Sequence, residues 1–424
     1  MSTATAADAL DVCNPADGRL IATVPVDDRE TVNGVAADLR CAQVGWVEAG
    51  PRQRARWLHR WRDWILAHTD ELTDLLQAET GKVRPDALVE TTASCEFITY
   101  YADNAERFLA GEQVRSSSLL SLPKRLSKTY HPYPVVGLIT PWNFPITLFL
   151  MDAAPALAAG CAVLAKSSEE TPLTCARVVE GWHEIGAPPV LAHVVGAGEA
   201  GASVVDAADF VQFTGSTATG RAVAIRCAEH LKPVSLELGG KDPAIVLEDA
   251  DLARAVEGIA WGGLFNAGQV CISPTRFYVQ EGVYDRFVAD FVAKTRALKV
   301  GDGLADGTQM GPLAQARRVG AVAGFIDDAR ERGASVLWGG SPLPGSGNFF
   351  APTVVADLPQ DARLLHEEPF GPVASMIRFK DVEDVLVRAN SLPYGLASYV
   401  FTQSSRNAHM LSQGLAAGMV SINH

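Results

Sequence analysis

The chain has 424 residues, of which 48% are hydrophobic and 20% charged, a composition that excludes a disordered chain and calls for two or more globular domains. The formal net charge of -13 is spread along the sequence with no acidic block or basic patch, which argues against a nucleic-acid or membrane partner. Seven widely spaced cysteines are an odd number and the nine histidines form no HExxH or HxH cluster, so neither a disulfide framework nor a catalytic metal is expected, and the protein reads as cytoplasmic.

Met1 to Ala16 lacks the charged and apolar regions of a signal peptide. Residues 12–25 read as an extended leading segment with turns at Asn14-Pro15 and Asp17-Gly18. Amphipathic helices follow. Asp27 or Asp28 suits the first cap, and Pro51 suits a first helical turn. Trp57, Leu58, Trp61, Trp64 and Ile65 recur at helical spacing and read as a core face. A further helical stretch spans about 86–109. Residues 113–133 lose helical period and read as a projecting hairpin. Phe144 to Leu164 is apolar, but Pro145, Asp152, Pro155 and Gly160 interrupt it, so it reads as loop, helix and strand rather than a membrane span. From Pro134 onward, strands at 134–139, 161–165, 191–195 and 210–213 alternate with helices. The alternation resumes after 240, with strands near 243–247, 276–280, 335–338, 373–378 and 397–402. Such alternation implies two α/β domains with parallel sheets.

Two glycine-rich turns compete for a phosphate. Gly196 to Gly201 matches GxGxxG but lacks the acidic residue about 20 positions on, so an ordinary turn is an equal reading. Gly215-Ser216 follows a strand and opens a helix, where free N–H groups suit a pyrophosphate; a plain Ser cap explains the residues equally well. Lys166-Ser167-Ser168-Glu169 ends a strand, where ligands collect in open α/β sheets, or is a solvated strand end. Cys271, in Phe265-Asn266-Ala267-Gly268-Gln269-Val270-Cys271-Ile272-Ser273, has no second cysteine within three residues. It is either an inert core thiol or a nucleophile.

Taken together, these stretches resemble the aldehyde dehydrogenase superfamily. The matching motifs are Pro141-Trp142-Asn143-Phe144-Pro145, Lys166 to Pro172, Phe213 to Gly220, Leu236 to Lys241, Phe265 to Cys271, Glu368 to Pro372 and Tyr394-Gly395-Leu396, in the family's order. The resemblance implies a Rossmann-type NAD(P)-binding domain (1–112 and 133–236), a β-hairpin oligomerisation arm (113–132) and an α/β catalytic domain (237–424). It implies that Cys271 attacks an aldehyde, that Asn143 and the Cys271 N–H hold the oxyanion, and that Glu237, desolvated among apolar neighbours, activates water. It assigns Thr140, Trp142, Asn143, Lys166, Ser168, Glu169, Gly215, Ser216, Leu238, Glu368 and Phe370 to the cofactor, with Glu169 favouring NAD over NADP. Glu237 also marks the subclass that releases a free acid rather than passing the acyl group to coenzyme A. The implied assembly is a homodimer or homotetramer. The three side chains Cys271, Asn143 and Glu237 are expected to converge.

The wall residues Phe144, Leu148, Met151, Phe265, Val270 and Ile272 carry no cation, which favours an apolar or aromatic aldehyde. Two alternatives stay open: a catalytically silent homologue, and a succinate semialdehyde type of enzyme whose cation comes from elsewhere. The sequence stops at His424, where typical members continue with a tunnel loop and a last strand, so an unpaired sheet edge is expected.

Overall fold

The computed structural model describes residues 9–424. The chain divides into two compact units. The first comprises the described residues up to Val12, Ile21–Leu76 and Ala87–Glu237; the second comprises Cys13–Leu20, Gln77–Asp86 and Leu238–His424. Two short segments that read with the first domain therefore cluster with the second. Gln77 fixes one of them by donating to the Gly303 carbonyl at 3.0 Å, and the Asn348 N–H binds the Pro15 carbonyl at 2.9 Å to fix the other.

The first unit is built on a five-stranded sheet. Its order is Leu191–Val194, Ala162–Lys166, Val135–Ile139, Phe210–Thr214 and Val234–Glu237, and every neighbour is parallel. Val135–Ile139 comes first in the chain yet lies centrally, so strand order reverses between it and Phe210–Thr214. The crevice beyond the strand C-termini at such a reversal is where α/β sheets bind ligands. Helix Pro145–Ala159 follows the central strand; Pro145 occupies its first turn and Gly160 closes it in the left-handed conformation. The tryptophan stripe reads correctly: Trp61 and Trp182 meet edge to face at 5.4 Å in this core. Asp28, rather than Asp27, caps Arg29–Glu48, accepting from Thr31 at 2.8 Å. Asp27 instead accepts from the Val195 N–H at 2.7 Å.

The stretch read as one helix over 86–109 is two, Arg84–Ala93 and Cys95–Phe108. The break falls at Ser94, whose hydroxyl bonds back to the Glu90 carbonyl at 2.5 Å, the local competition that bends helices. Strands Glu112–Val114 and Leu126–Lys128 pair antiparallel as a hairpin, and Leu119 and Leu120 between them are 86% and 87% exposed.

The second unit holds a seven-stranded sheet in the order Ser335–Trp338, Thr353–Ala356, Val373–Phe379, Pro274–Gln280, Asp242–Val246, Ala397–Phe401 and Met419–Ile422. Only the Ser335–Trp338 pairing is antiparallel. Met419–Ile422 is the outer strand, and Met419 is exposed. No helix among the described residues is long and apolar enough to cross a membrane.

Candidate active site

In the first unit the candidate residues gather at one end of the sheet. Thr140, Lys166, Thr214 and Glu237 end or directly follow adjacent strands: Ile139 pairs with Lys166 and with Phe213, and Thr214 with Glu237. Each strand alternates faces, so residues at these matched ends present a common rim. At the reversal point the Thr140 and Thr214 hydroxyls are buried and have no hydrogen-bond partner, unusual enough to call for a missing group. Gly215 donates to the Glu237 carbonyl at 3.0 Å, and a β-carbon on Gly215 would stand 2.7 Å from the Phe213 ring. Ser216 caps Thr217–Glu229, accepting from the Thr219 N–H at 3.2 Å. The Gly196 to Gly201 turn follows the outermost strand of this sheet, away from the reversal point.

Lys166 is 5% exposed and pairs with Glu169 at 3.2 Å. Burial lowers its pKa, against the pull of Glu169. Ser167 meets His193 at 2.8 Å, and burial, then Lys166, hold that imidazole down to about 4. His193 is therefore neutral near pH 7. Ser168 accepts from the Glu170 N–H at 3.3 Å. A lysine and a carboxylate at a strand end, two vacant hydroxyls and a helix N-terminus fit a dinucleotide's ribose and phosphate groups.

Asn143 is buried and, with Trp142 and Phe144, leads into helix Pro145–Ala159. That helix is held at both ends. Glu90 accepts from Ile146 at 2.9 Å and Thr147 at 3.2 Å at its start. At its end Trp46 donates to Leu157, Arg54 to Ala158 and Gln43 to Gly160. Carboxylate at the N-terminus and guanidinium at the C-terminus also suit the helix dipole. Of the expected substrate residues, Leu148 is buried in this helix and Met151 half-buried. Glu237 ends an edge strand and is exposed, so the burial expected from its apolar neighbours is absent. Sequence reasoning missed Glu90, whose only signal was an acidic residue in an otherwise plain helix.

The second unit places its candidates differently. Cys271, Glu368 to Phe370, Gly239 to Lys241 and Tyr394 to Leu396 precede the N-termini of four neighbouring strands. The rule for open α/β sheets looks at the other end, and sequence alone gives no hint of the reversal. Cys271 follows a backbone turn in which Asn266, Ala267 and Gly268 have φ of 49°, 54° and 70°. Left-handed non-glycine residues persist only where surroundings enforce them. Gln269 does much of the enforcing: it is 1% exposed, donates to the Asn266 carbonyl at 3.0 Å and accepts from Ala314 at 2.9 Å. Tyr399 donates to the Ile272 carbonyl at 2.7 Å, and Ser273 to Gly262 at 3.2 Å.

The backbone N–H groups of Ile272 and Cys271 act on the Cys271 sulfur and favour its thiolate, but burial outweighs them, with Glu368 and Asp242 adding to it. The thiol is pushed up to about 11 and is neutral at rest. Glu368 accepts from Gly240 at 3.3 Å, and burial pushes its carboxyl up to about 7. A β-carbon on Gly239 would stand 2.5 Å from the Glu368 carboxylate, and one on Gly240 would stand 2.5 Å from the Cys271 backbone carbonyl, so Gly240 is required for the backbone approach. Leu238 is half-buried beside them. Phe370 has φ of 43°, and Arg318, a residue the sequence reading passed over, donates to the Pro369 and Phe370 carbonyls. Val270 is half-buried and Ile272 is 37% exposed. Phe265 tilts against Trp261 at 4.9 Å and faces a cavity of about 160 Å³ lined also by Leu264, Met310, Glu257 and Lys294. That cavity is not purely apolar, because the paired charges of Glu257 and Lys294 sit at its rim.

Residues 2–424 match the model of the aldehyde dehydrogenase family. A glutarate-semialdehyde dehydrogenase of Pseudomonas putida is 39% identical over 417 residues, covering 97% of this chain and 85% of that protein. An NADP(+) succinate-semialdehyde dehydrogenase of Escherichia coli is 37% identical over 98% of this chain and 86% of its own length. The solved succinate-semialdehyde dehydrogenase of Burkholderia pseudomallei superposes with a TM-score of 0.95 at 35% identity, covering 98% of this chain and 86% of that one. The order of motifs, the two largely parallel sheets and these matches agree: the chain belongs to the aldehyde dehydrogenase family.

Proposed function

We propose that the protein oxidises an aldehyde to a free carboxylic acid with NAD(P)+ as acceptor, the first unit binding the dinucleotide and the second bearing the nucleophile. The observation that carries the reading is the Cys271 turn, where two backbone N–H groups act on the sulfur and a left-handed loop is enforced from several sides. Cys271 loses its thiol proton as the sulfur–carbon bond forms, and the aldehyde oxygen takes the charge. The Cys271 N–H and the Asn143 amide hold that oxyanion; one such donor is worth about 3–4 kcal/mol in acyl-transfer sites. When bound, the dinucleotide would supply a hydride acceptor, and Cys271 would then hold the acyl group as a thioester. Glu237 then takes a proton from water, the new carbon–oxygen bond forms, and the carbon–sulfur bond breaks. Thr140, Lys166, Ser168, Glu169, Gly215 and Ser216 hold the dinucleotide's polar groups; Trp142, Leu238, Glu368 and Phe370 attend its nicotinamide half. The test is NADH or NADPH formation across an aldehyde panel: turnover abolished in Cys271→Ala supports the reading, and its survival there ends it.

For the substrate, the cation-free set Phe144, Leu148, Met151, Phe265, Val270 and Ile272 favours an apolar or aromatic aldehyde. The relatives named for succinate and glutarate semialdehydes favour a second reading, an aldehyde with a distal carboxylate. Comparing kcat/KM for glutarate semialdehyde and for a straight-chain aldehyde of equal length separates the two. The exposed leucines of the Glu112–Lys128 hairpin support a homodimer or homotetramer, tested by sedimentation of a variant with Leu119 and Leu120 changed to serine.

A further inference from the structure

Helix Pro145–Ala159 starts without a cap of its own. Phe144 precedes it with φ of -140° and ψ of 71°, and makes no side-chain capping bond. The first N–H groups of a helix have no partner inside it. Pro145 has no N–H to satisfy, and the Leu148 N–H reaches the Phe144 carbonyl at 3.0 Å. That leaves Ile146 and Thr147, and both donate to one carboxylate oxygen of Glu90, at 2.9 Å and 3.2 Å. Glu90 lies 56 positions before Ile146 and is 3% exposed. Burying a carboxylate is costly, and the two N–H groups with the positive end of the helix dipole offset that cost. The helix break at Ser94 serves the same contact. Ser94 is 1% exposed; its hydroxyl donates to the Glu90 carbonyl at 2.5 Å and meets the Thr147 hydroxyl at 2.8 Å.

We propose that Glu90 is a positioning residue for Asn143, with Ser94 holding Glu90 and Thr147 together. The inference rests on Asn143 being an oxyanion donor. A serine or aspartate at position 144 would cap this helix locally, as Ser216 and Asp251 cap theirs. A local cap ties a helix only to its own chain. Glu90 ties the first turn to a different helix, Arg84–Ala93, and so sets where that turn stands in the fold. Asn143 is 3% exposed and lies two residues before Pro145, so a shift of the turn is a shift of Asn143. A donor must sit where the charge develops, and a displacement of about 1 Å can cost about a hundredfold in rate. Glu90 touches no reacting atom in this account; it acts through the backbone of Ile146 and Thr147.

The experiment is a double-mutant cycle on kcat and KM for an aldehyde that the wild type turns over, using Glu90→Ala, Asn143→Ala and the pair, with rates normalised to folded protein by circular dichroism. Asn143→Ala is expected to lose about a hundredfold in kcat, the scale of one oxyanion donor. Glu90→Ala is expected to lose about tenfold in kcat, with KM for the aldehyde and Kd for NAD+ unchanged, because the oxyanion exists only beyond the ground state. In the Asn143→Ala background the same change is expected to cost no more than about twofold. A tenfold loss in that background too shows a merely structural role and overturns the proposal, as does full kcat in Glu90→Ala. If Asn143→Ala alone keeps the wild-type kcat, the oxyanion reading falls first and takes the inference with it. Should Glu90→Ala not fold, Glu90→Gln replaces it in the cycle, since its amide oxygen still accepts but carries no charge. It is expected to lose about threefold in kcat with Asn143 present and nothing without it; equal losses in both backgrounds refute the positioning role.

Discussion

Gly268 and Gly371 approach so closely that a β-carbon on Gly268 would stand 2.2 Å from the Gly371 carbonyl oxygen. Gly268 also has φ of 70°, where any L side chain is strained. The turn that leads to Cys271 and the Glu368 to Pro372 loop are thus fastened by backbone contact. Gly268→Ala must move one of them, at about 1–3 kcal/mol. We expect a lower melting midpoint and at least a tenfold loss of kcat, measured together. Full activity with an unchanged midpoint would contradict this packing.

Thiol chemistry gives a second outcome, opposite to what a sequence-based reading of an activated cysteine expects. The thiols of Cys271, Cys95 and Cys161 are all pushed up to about 11, chiefly by burial, whereas Cys13 and Cys41 are exposed. The thiolate is the reactive form. Iodoacetamide at pH 7 should therefore label Cys13 and Cys41 first in the unliganded protein. Labelling of Cys271 should accelerate as pH rises toward 11. Peptide mapping over time reads both.

Lys241 is fully buried, and its Nζ has no hydrogen-bond partner. Burial, with Arg276 adding to it, lowers its pKa from 10.5 to about 7. Between these values the unfolded chain binds more protons than the folded one, so this residue's contribution to stability rises with pH across that window. Below it the fold carries a buried charge at full penalty. Lys241→Met should raise the melting midpoint more at pH 6 than at pH 10, read by calorimetry. A larger gain at the alkaline end would show the sign to be wrong.

The Lys166–Glu169 pair makes a prediction about cofactor choice. At 3.2 Å Glu169 occupies the ammonium that a 2′-phosphate would otherwise meet, and adds a like charge. Glu169→Gln should lower KM for NADP about tenfold and raise it for NAD, since a neutral amide neither repels phosphate nor accepts as strongly from a ribose hydroxyl. Equal changes for both dinucleotides would remove Glu169 from that role.

The sequence made some of this legible because local physics decided it. Asp28 at a cap, Pro51 in a first turn and the Trp61 stripe follow from backbone and periodicity alone. Thr353–Ala356 and Val234–Glu237 were not read as strands, although the equally short Ser335–Trp338 and Leu191–Val194 were. Nor was the assignment of Gln77–Asp86 to the second unit legible, because it depends on a bond between Gln77 and Gly303, 226 positions apart. Among candidate site residues, motifs are what single out Cys271, Asn143 and Glu237. Cys271's raised pKa was invisible, because it depends on burial and on Glu368.

Helix Pro145–Ala159, tied down at each tip, has little freedom to slide or fray. Its amides should exchange with deuterium slowly even when nothing is bound, and the entropy of ordering this segment was settled when the chain folded.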